Sequence, residues 1–309
     1  MNLLIVGAGG QLGEKLALAA QGDQIYGTYK SRPPTSKLSG SFLLDKTDRE
    51  QVKKVIERLR PDAVIDTGAL HNVDYCETHA EEAFNTNARG TQNLANACRE
   101  FSAKYVFVST DFVFDGVGAP YSEEATPNPL SVYAESKLEG EKLALSANEG
   151  NTVVVRPAVI YSWVNQKQST SSSGKPLNFG AWLVTQLLMK KELNIVKDQI
   201  TSPTLANDLA EAILALVRSP REGLFHTAGA TALSRYDFSV LLARKLGLDS
   251  NLIRPIPSSE LKQVAKRPLN SSLVSQKIER EVGYRMRNID EALEIFADEA
   301  REGITGAAS

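Results

Sequence analysis

The chain opens NLLIVGAGGQLGEKL, an apolar β-rich run that meets glycines at positions 7, 10 and 13 and passes directly into helix-forming residues. A buried strand that turns through Gly7, Gly10 and Gly13 into a helix, with no loop between, commits the chain to a strand–turn–helix unit. The same alternation continues through QIYGTY, SFLLD, a helix near 48–59, DAVIDTGA, a helix near 80–100, KYVFVST, a helix near 130–147 and NTVVVRP. Strands separated by helices at this spacing require crossovers and hence a parallel sheet. The strands are continuous apolar runs, as expected when helices cover both faces.

These features predict an α/β fold, a Rossmann-type doubly wound parallel sheet. A chain of 309 residues exceeds a single ordinary core. Beyond Pro157 the rhythm changes: NQKQSTSSSGKP reads as a mobile loop beside the cleft. A helix near 179–191, the strand LNIV, a helix near 205–217 and the strand GLFHTAG are expected to return to the sheet. Residues 230–309 read as mostly helical, with LIRPIPSSEL as an extended link. The predicted partition is residues 1–160 with 193–228 as the dinucleotide-binding domain. Residues 161–192 with 229–309 form a smaller, mainly helical C-terminal substrate lobe.

With 35 Lys+Arg against 37 Asp+Glu, no net field favours nucleic acid or an anionic membrane, and a small-molecule partner is expected. Cys76 and Cys98 form neither a disulfide framework nor a zinc spacing, and no metal is predicted. The amino terminus matches neither a signal peptide nor a spanning helix, which points to the cytoplasm.

The glycine spacing suits a pyrophosphate. Glycine allows the sharp turn, the close approach of backbone amides and tight helix packing, and the helix amino terminus adds partial positive charge. The expected phosphate contacts are Gly7, Gly10, Gln11, Leu12 and Gly13. The second strand ends in GTYKSRPP, where an acidic residue would accept from the ribose hydroxyl of NAD. Lys30 and Arg32 stand there instead, favouring a 2'-phosphate and hence NADP over NAD; the alternative is that both cations are solvated surface groups. Asp45, closing the third strand, is placed to accept from the adenine, with capping of the next helix as the competing reading. Lys46 is grouped with it among the cofactor contacts, as is the backbone of Thr67, Gly68 and Ala69 after the fourth strand.

Tyr133 and Lys137 lie one helical turn apart in VYAESKLEGEKL. A phenol near pKa 10 is a poor acid–base catalyst at neutral pH, and a nearby ammonium lowers that value. Thr110, in YVFVSTDFVFDG, ends the fifth strand at the same sheet edge. There it can hydrogen-bond a carbonyl that Tyr133 protonates. His71, His79 and His226 form no metal pattern. Asp74 and Glu77 read as caps of the helix near 80, with an approach to the cofactor as the alternative, Asn87 as a backbone brace, and Arg156 as a buried cation in need of a partner.

Taken together, GAGGQLG, VDYCE, NARGTQNL, STDFVFDG, the run from Pro129 to Glu141, DQITSPT and KRPLNSSL resemble the extended short-chain dehydrogenase/reductases, and within them the dTDP-4-dehydrorhamnose reductase group. The resemblance spans nearly the whole chain. It implies Thr110, Tyr133 and Lys137 as catalytic residues, with Thr110 and Asp111 touching the sugar of a nucleotide-linked 4-keto-6-deoxyhexose. It also implies a homodimer as an assembly. Two departures stand out: RPAVIYS puts Val159 where that group carries a substrate-contacting tryptophan, with Ser162 in place of glycine, and the loop 163–178 is longer. A non-aromatic residue there, and a basic segment like GTYKSRPP, are also similar to the regulatory β-subunit of methionine adenosyltransferase. That likeness implies the alternative of an NADP-binding, non-catalytic subunit with a partner enzyme.

Overall fold

The computed structural model describes residues 1–163, 178–261 and 263–306. The Ser-rich stretch 165–176, and with it nearly all of the loop 163–178, falls outside the described residues. In the first half the strands are β1 (Asn2–Val6), β2 (Gln24–Tyr29), β3 (Gly40–Leu43), β4 (Ala63–Asp66), β5 (Lys104–Val108) and β6 (Thr152–Arg156). Between them lie α1 (Gln11–Ala19), α2 (Arg49–Leu59), α3 (Val73–Thr78), α4 (Ala80–Phe84), α5 (Gly90–Glu100) and α6 (Val132–Ala147). The second half adds β7 (Ala158–Tyr161), α7 (Phe179–Leu188), β8 (Leu193–Val196), β9 (Ile200–Thr201), β10 (Pro203–Leu205), α8 (Ala206–Arg218) and β11 (Gly223–His226). It closes with β12 (Leu233–Ser234), α9 (Arg235–Lys245), β13 (Ile253–Ile256), α10 (Gln276–Val282) and α11 (Ile289–Gly306).

Seven strands form one sheet in the order β11-β6-β5-β4-β1-β2-β3, and every pair in it is parallel. Successive side chains of a strand face opposite layers. Leu3 and Ile5 of β1 pack with Leu16 of α1 and Ile213 of α8, whereas Leu4 and Val6 pack with Ile56 of α2 and Leu94 of α5. The order reverses at β1, since β2 lies on one side and β4 on the other, so the carboxyl ends of β1 and β4 diverge into a crevice.

The predicted helix over 80–100 is broken by a π-helical turn at Asn85–Arg89. The turn packs closely on α6: a Cβ on Gly140 would stand 2.3 Å from the Asn87 carbonyl oxygen, which also accepts from the Thr91 hydroxyl at 3.0 Å. Such turns gather at functional sites. A second difference concerns the strand LNIV, which does not join the main sheet. As β8 it pairs in parallel with β13, inside the segment expected to be only an extended link. Pro255 is tolerated because a two-stranded pair is all edge. The expected return of GLFHTAG does occur, as β11 beside β6. A second core is built by Leu183 and Leu187 of α7, Leu242 of α9, and Leu293 and Phe296 of α11, and it also takes in Leu193 and Ile195 of β8, which the sequence partition groups with the dinucleotide-binding domain.

No helix among the described residues is long and apolar enough to cross a membrane. The α5–α6 crossing sets a test of packing. Gly140→Ala should destabilise the protein by about 2 to 3 kcal/mol in urea unfolding, because the obstacle is backbone and cannot rotate away.

Candidate active site

The crevice between β1 and β4 is floored by glycine. Gly7 has φ +83°, and a Cβ there would lie 2.9 Å from Thr67 Oγ1 and 3.1 Å from the Gly68 amide, so the phosphate loop and the β4 turn pack back to back. A Cβ on Gly13 would meet the Gly7 carbonyl at 2.5 Å, which brings α1 down on the loop. Gly10 stands at the amino end of α1, where no side chain caps the helix, so its first amides and dipole remain available to an anion. Gln11 is engaged elsewhere: its amide donates to the Ile160 carbonyl at 3.3 Å, and Ser162 donates to its oxygen at 3.2 Å. The departure at Ser162 thus ties β7 to the loop.

The backbone of Arg32 and Pro33 runs against the loop, with the Arg32 carbonyl 2.2 Å from a Cβ built on Gly9. Lys30 pairs with Asp45 at 2.7 Å, and Asp45 also accepts from the Thr47 amide at 3.0 Å and its hydroxyl at 2.8 Å. Asp48, rather than Asp45, caps α2. Lys46, expected at the cofactor, turns into the core, donating to Asp66 at 2.7 Å and to the Gly68 carbonyl at 2.6 Å. Its ammonium is therefore not a cofactor contact. The Thr67 amide goes to Val6 and the Gly68 amide to Asp66, leaving Ala69 as the residue of that turn whose backbone polar groups are not drawn into the floor by these bonds.

At the end of β5 the polar residues converge. Lys137 is 1% exposed and donates to the Val108 carbonyl at 2.7 Å, with its ammonium 4.0 Å from the Phe107 ring centre. Burial and the charge of Lys46 push Lys137 down to about 7, against the pull of Asp66 and Glu141. Thr110 accepts from the Phe112 amide at 3.2 Å and donates to Asp111 at 3.2 Å, close enough to the phenol of Tyr133 to act on its ionisation. The Tyr133 phenol is raised above its ordinary value by burial; the Thr110 hydroxyl opposes this and the Asp111 carboxylate adds to it. The Lys137 ammonium, expected to lower it, is directed at the strand carbonyl.

Asp111 is buried and accepts from Ser271 at 2.5 Å and Thr201 at 3.2 Å. Burial carries its carboxyl up to about 6, against these hydrogen bonds. A small opening beside it is lined by Phe112, Val159, Thr201, Arg235 and Ser271. Gln199, Arg235 and Arg267 continue from there into a cavity of about 570 Å³ walled by Phe179 and Trp182. Val159 has φ +38°, and the β7–β10 register skips it between Ala158 and Ile160. A valine thus occupies the left-handed bulge position that glycine usually takes.

The chain matches the model of the RmlD substrate binding domain over residues 1–302. The chain belongs to the RmlD family. A dTDP-4-dehydrorhamnose reductase of Sinorhizobium fredii is 33% identical, over 94% of this chain and 95% of that protein. A dTDP-4-keto-6-deoxy-D-glucose reductase of Streptomyces niveus is 31% identical, over 86% and 85%. The crystal structure of a dTDP-4-dehydrorhamnose reductase from Bacillus anthracis in complex with NADP superposes with a TM-score of 0.82 at 28% identity, over 96% of this chain and 98% of that one. A Clostridium acetobutylicum ortholog gives 0.84 at 31%, over 97% and 100%.

In this RmlD-family protein the remaining residues have structural partners. Arg156 forms a two-pronged pair with Glu141, at 2.8 and 2.6 Å, and Glu141 also accepts from Ser109 at 2.5 Å. Asn87 brackets Leu70, accepting from its amide at 2.9 Å and donating to its carbonyl at 3.1 Å. Asn72 caps α3, while Glu77 accepts from the Val132 amide at the start of α6 and Asp74 pairs with Arg267 at 3.0 Å. Neither acid caps the helix near residue 80. Arg235, Arg267, Phe179 and Trp182 were not identified as site residues from sequence. The only hint was the polar KRPLNSSL, which carries Arg267 and Ser271.

Asp111 predicts a pH dependence. Because its folded pKa lies above the unfolded value, ionisation costs stability, which is lost as pH rises from about 4 to about 6. Asp111→Asn removes that slope, so its stability relative to the parent should climb by up to about 3 kcal/mol between pH 4 and pH 7 in denaturant titrations.

Proposed function

We propose that this protein is an NADP-dependent reductase of a nucleotide-diphosphate 4-keto-6-deoxysugar, similar to dTDP-4-dehydrorhamnose reductase. The observation that carries this reading is the meeting of Thr110, Tyr133 and Lys137 at the end of β5, between the uncapped α1 terminus and the arginine-bearing cavity. The fit of the cofactor rests on the loop itself, since a Cβ at Gly7 would strike Thr67 and Gly68 and push the loop off the β4 turn, while the first amides of α1 stay uncapped for a pyrophosphate. Gly7, Gly10, Gln11, Leu12 and Gly13 would hold the pyrophosphate. Lys30 and Arg32 would hold the 2'-phosphate, Asp45 the adenine, and the 67–69 turn the flank of the cofactor. The B. anthracis relative crystallised with NADP supports the same choice.

NADPH, when bound there, would supply hydride for the keto carbon. Tyr133 gives its proton to the keto oxygen, and the raised phenol keeps that proton in place until charge develops there. Lys137, one helical turn from Tyr133 and held at the Val108 carbonyl, would place its positive charge near the phenolate that remains and would bind the nicotinamide ribose. Thr110 orients the carbonyl. Asp111 faces the sugar, and Val159 shapes the opening through which the sugar enters. Arg235 and Arg267 match a diphosphate, and Phe179 and Trp182 offer rings to the base.

The test is NADPH oxidation with a panel of dTDP-4-keto-6-deoxysugars. Turnover is expected from the parent, and Tyr133→Phe should lower kcat by about 10²- to 10⁴-fold while NADPH still binds. Tight NADPH binding without turnover on any such sugar would overturn the reductase reading. In a separate titration, Lys30→Ala with Arg32→Ala should weaken NADPH and leave NADH affinity nearly unchanged. Equal effects on both would remove the 2'-phosphate assignment.

A further inference from the structure

Beneath the phosphate loop lies a buried ionic cluster that the chemistry above leaves unused. Lys46 is 6% exposed and Asp66 is 1% exposed. Asp66 Oδ2 receives the Lys46 ammonium at 2.7 Å and the Tyr105 hydroxyl at 3.0 Å, while Oδ1 receives the Gly68 amide at 3.0 Å. Lys46 also donates to the Gly68 carbonyl at 2.6 Å. Both polar groups of Gly68 are therefore gripped by one ion pair, and Gly68 is the residue packed against Gly7. The helix makes room for this arrangement: a Cβ on Gly90, the first residue of α5, would stand 2.8 Å from Lys46 Cγ and 3.2 Å from Cε.

Apolar residues of like volume would usually fill such a space at no loss of stability. A charged pair at the centre of the sheet therefore calls for another reason. The second observation supplies it, because the same two charges act on Lys137 with opposite sign, Lys46 pushing its pKa down and Asp66 pulling it up. The other groups facing Lys137 are Glu141, one turn further along α6 and held by Arg156 of β6, and Tyr133, one turn earlier.

We propose that Lys46 and Asp66 are paired positioning residues, which fix the Gly68 peptide under the cofactor loop and balance the electric field at Lys137. The inference rests on the reading of Lys137 as the partner of Tyr133. Neither residue of the pair touches substrate or cofactor. The Lys46–Gly68 bond holds the loop's floor, and the two charges act with opposite sign on a Lys137 that burial already pushes down to about 7.

Lys46→Met, Asp66→Asn, the double variant and Gly90→Ala test this, with NADPH affinity read by fluorescence and the ionisation break read in both NADPH binding and kcat against pH. Asp66→Asn leaves the Lys46 charge unbalanced and should move the break to lower pH; Lys46→Met leaves the Asp66 charge and should move it to higher pH. The double variant should return the break close to the parent's. Every variant that loses the Lys46–Gly68 bond should bind NADPH about tenfold more weakly, the scale of one net hydrogen bond. Gly90→Ala, which displaces the Lys46 stem but keeps both charges, should weaken NADPH without moving the break far, and it serves where a single charge variant does not fold. Shifts in the same direction for the two single variants, or unchanged breaks and affinities throughout, overturn the pairing. Absence of NADPH binding by the parent overturns the functional reading and this inference with it. Parent binding with unaltered variants overturns this inference alone.

Discussion

The hydrogen bond from Lys137 to the Val108 carbonyl is the contact on which the site depends. It joins the last residue of β5 to the second turn of α6, both buried, and so fixes where Thr110 leaves the strand relative to Tyr133. A lysine kept this far from water must have its charge satisfied by geometry alone. The Val108 carbonyl and the Phe107 ring provide that on one side, and Glu141, itself held by Arg156, adds a carboxylate from the next turn. Moving α6 along the sheet by one residue would break all of these together. The close seat of Gly140 on the Asn87 carbonyl prevents that slip.

Most of the fold could be read from local pattern. Continuous apolar strands and amphipathic helices follow from local sequence, and β1 to β6, α1, α2, α5 and α6 lie where the alternation puts them, whereas α3 falls before the helix expected near 80–100. The exceptions arise where distant residues decide. The π-helical turn at Asn85–Arg89 packs on a glycine some fifty residues later. The pairing of β8 with β13 joins segments about sixty residues apart, and four-residue runs such as LNIV do not say which sheet they will join. The site divides in the same way. Gly7, Thr110, Tyr133 and Lys137 were legible because their motifs sit at fixed offsets from strand ends. Arg235, Arg267 and Trp182 carry no such offset and reach the cavity only through the packing of the lobe. Lys46 was misread for a related reason: its sequence position suits the cofactor, but Gly90 opens a path into the core that sequence order does not reveal.

Val159 shows how the two halves of the molecule share a constraint. It sits in a bulge of β7 whose neighbours are held by Thr204, which bonds both the amide and the carbonyl of Ala158. A β-branched residue at positive φ costs about 1 to 3 kcal/mol and persists only when its surroundings over-determine it. Here that backbone is trapped between β10 and the phosphate-loop tether through Gln11 and Ser162. The strained residue faces the opening beside Asp111, so cofactor loop and sugar opening are joined through β7.

Thr110 connects these elements to the chemistry through a simple count. A hydroxyl has one hydrogen and two lone pairs. The Phe112 amide takes one lone pair and the hydrogen goes to Asp111. For Thr110 to orient a keto oxygen, that hydrogen must leave Asp111, and the bond it leaves is long, at 3.2 Å. The shorter contact from Ser271, at 2.5 Å, and the one from Thr201 stay behind to satisfy the carboxylate. The late segment of the chain, by holding Asp111 from the far side, would let Thr110 turn its hydrogen to a keto oxygen in the proposed reaction. Asp111 then acts as much through the geometry of its neighbour as through any contact of its own with a sugar.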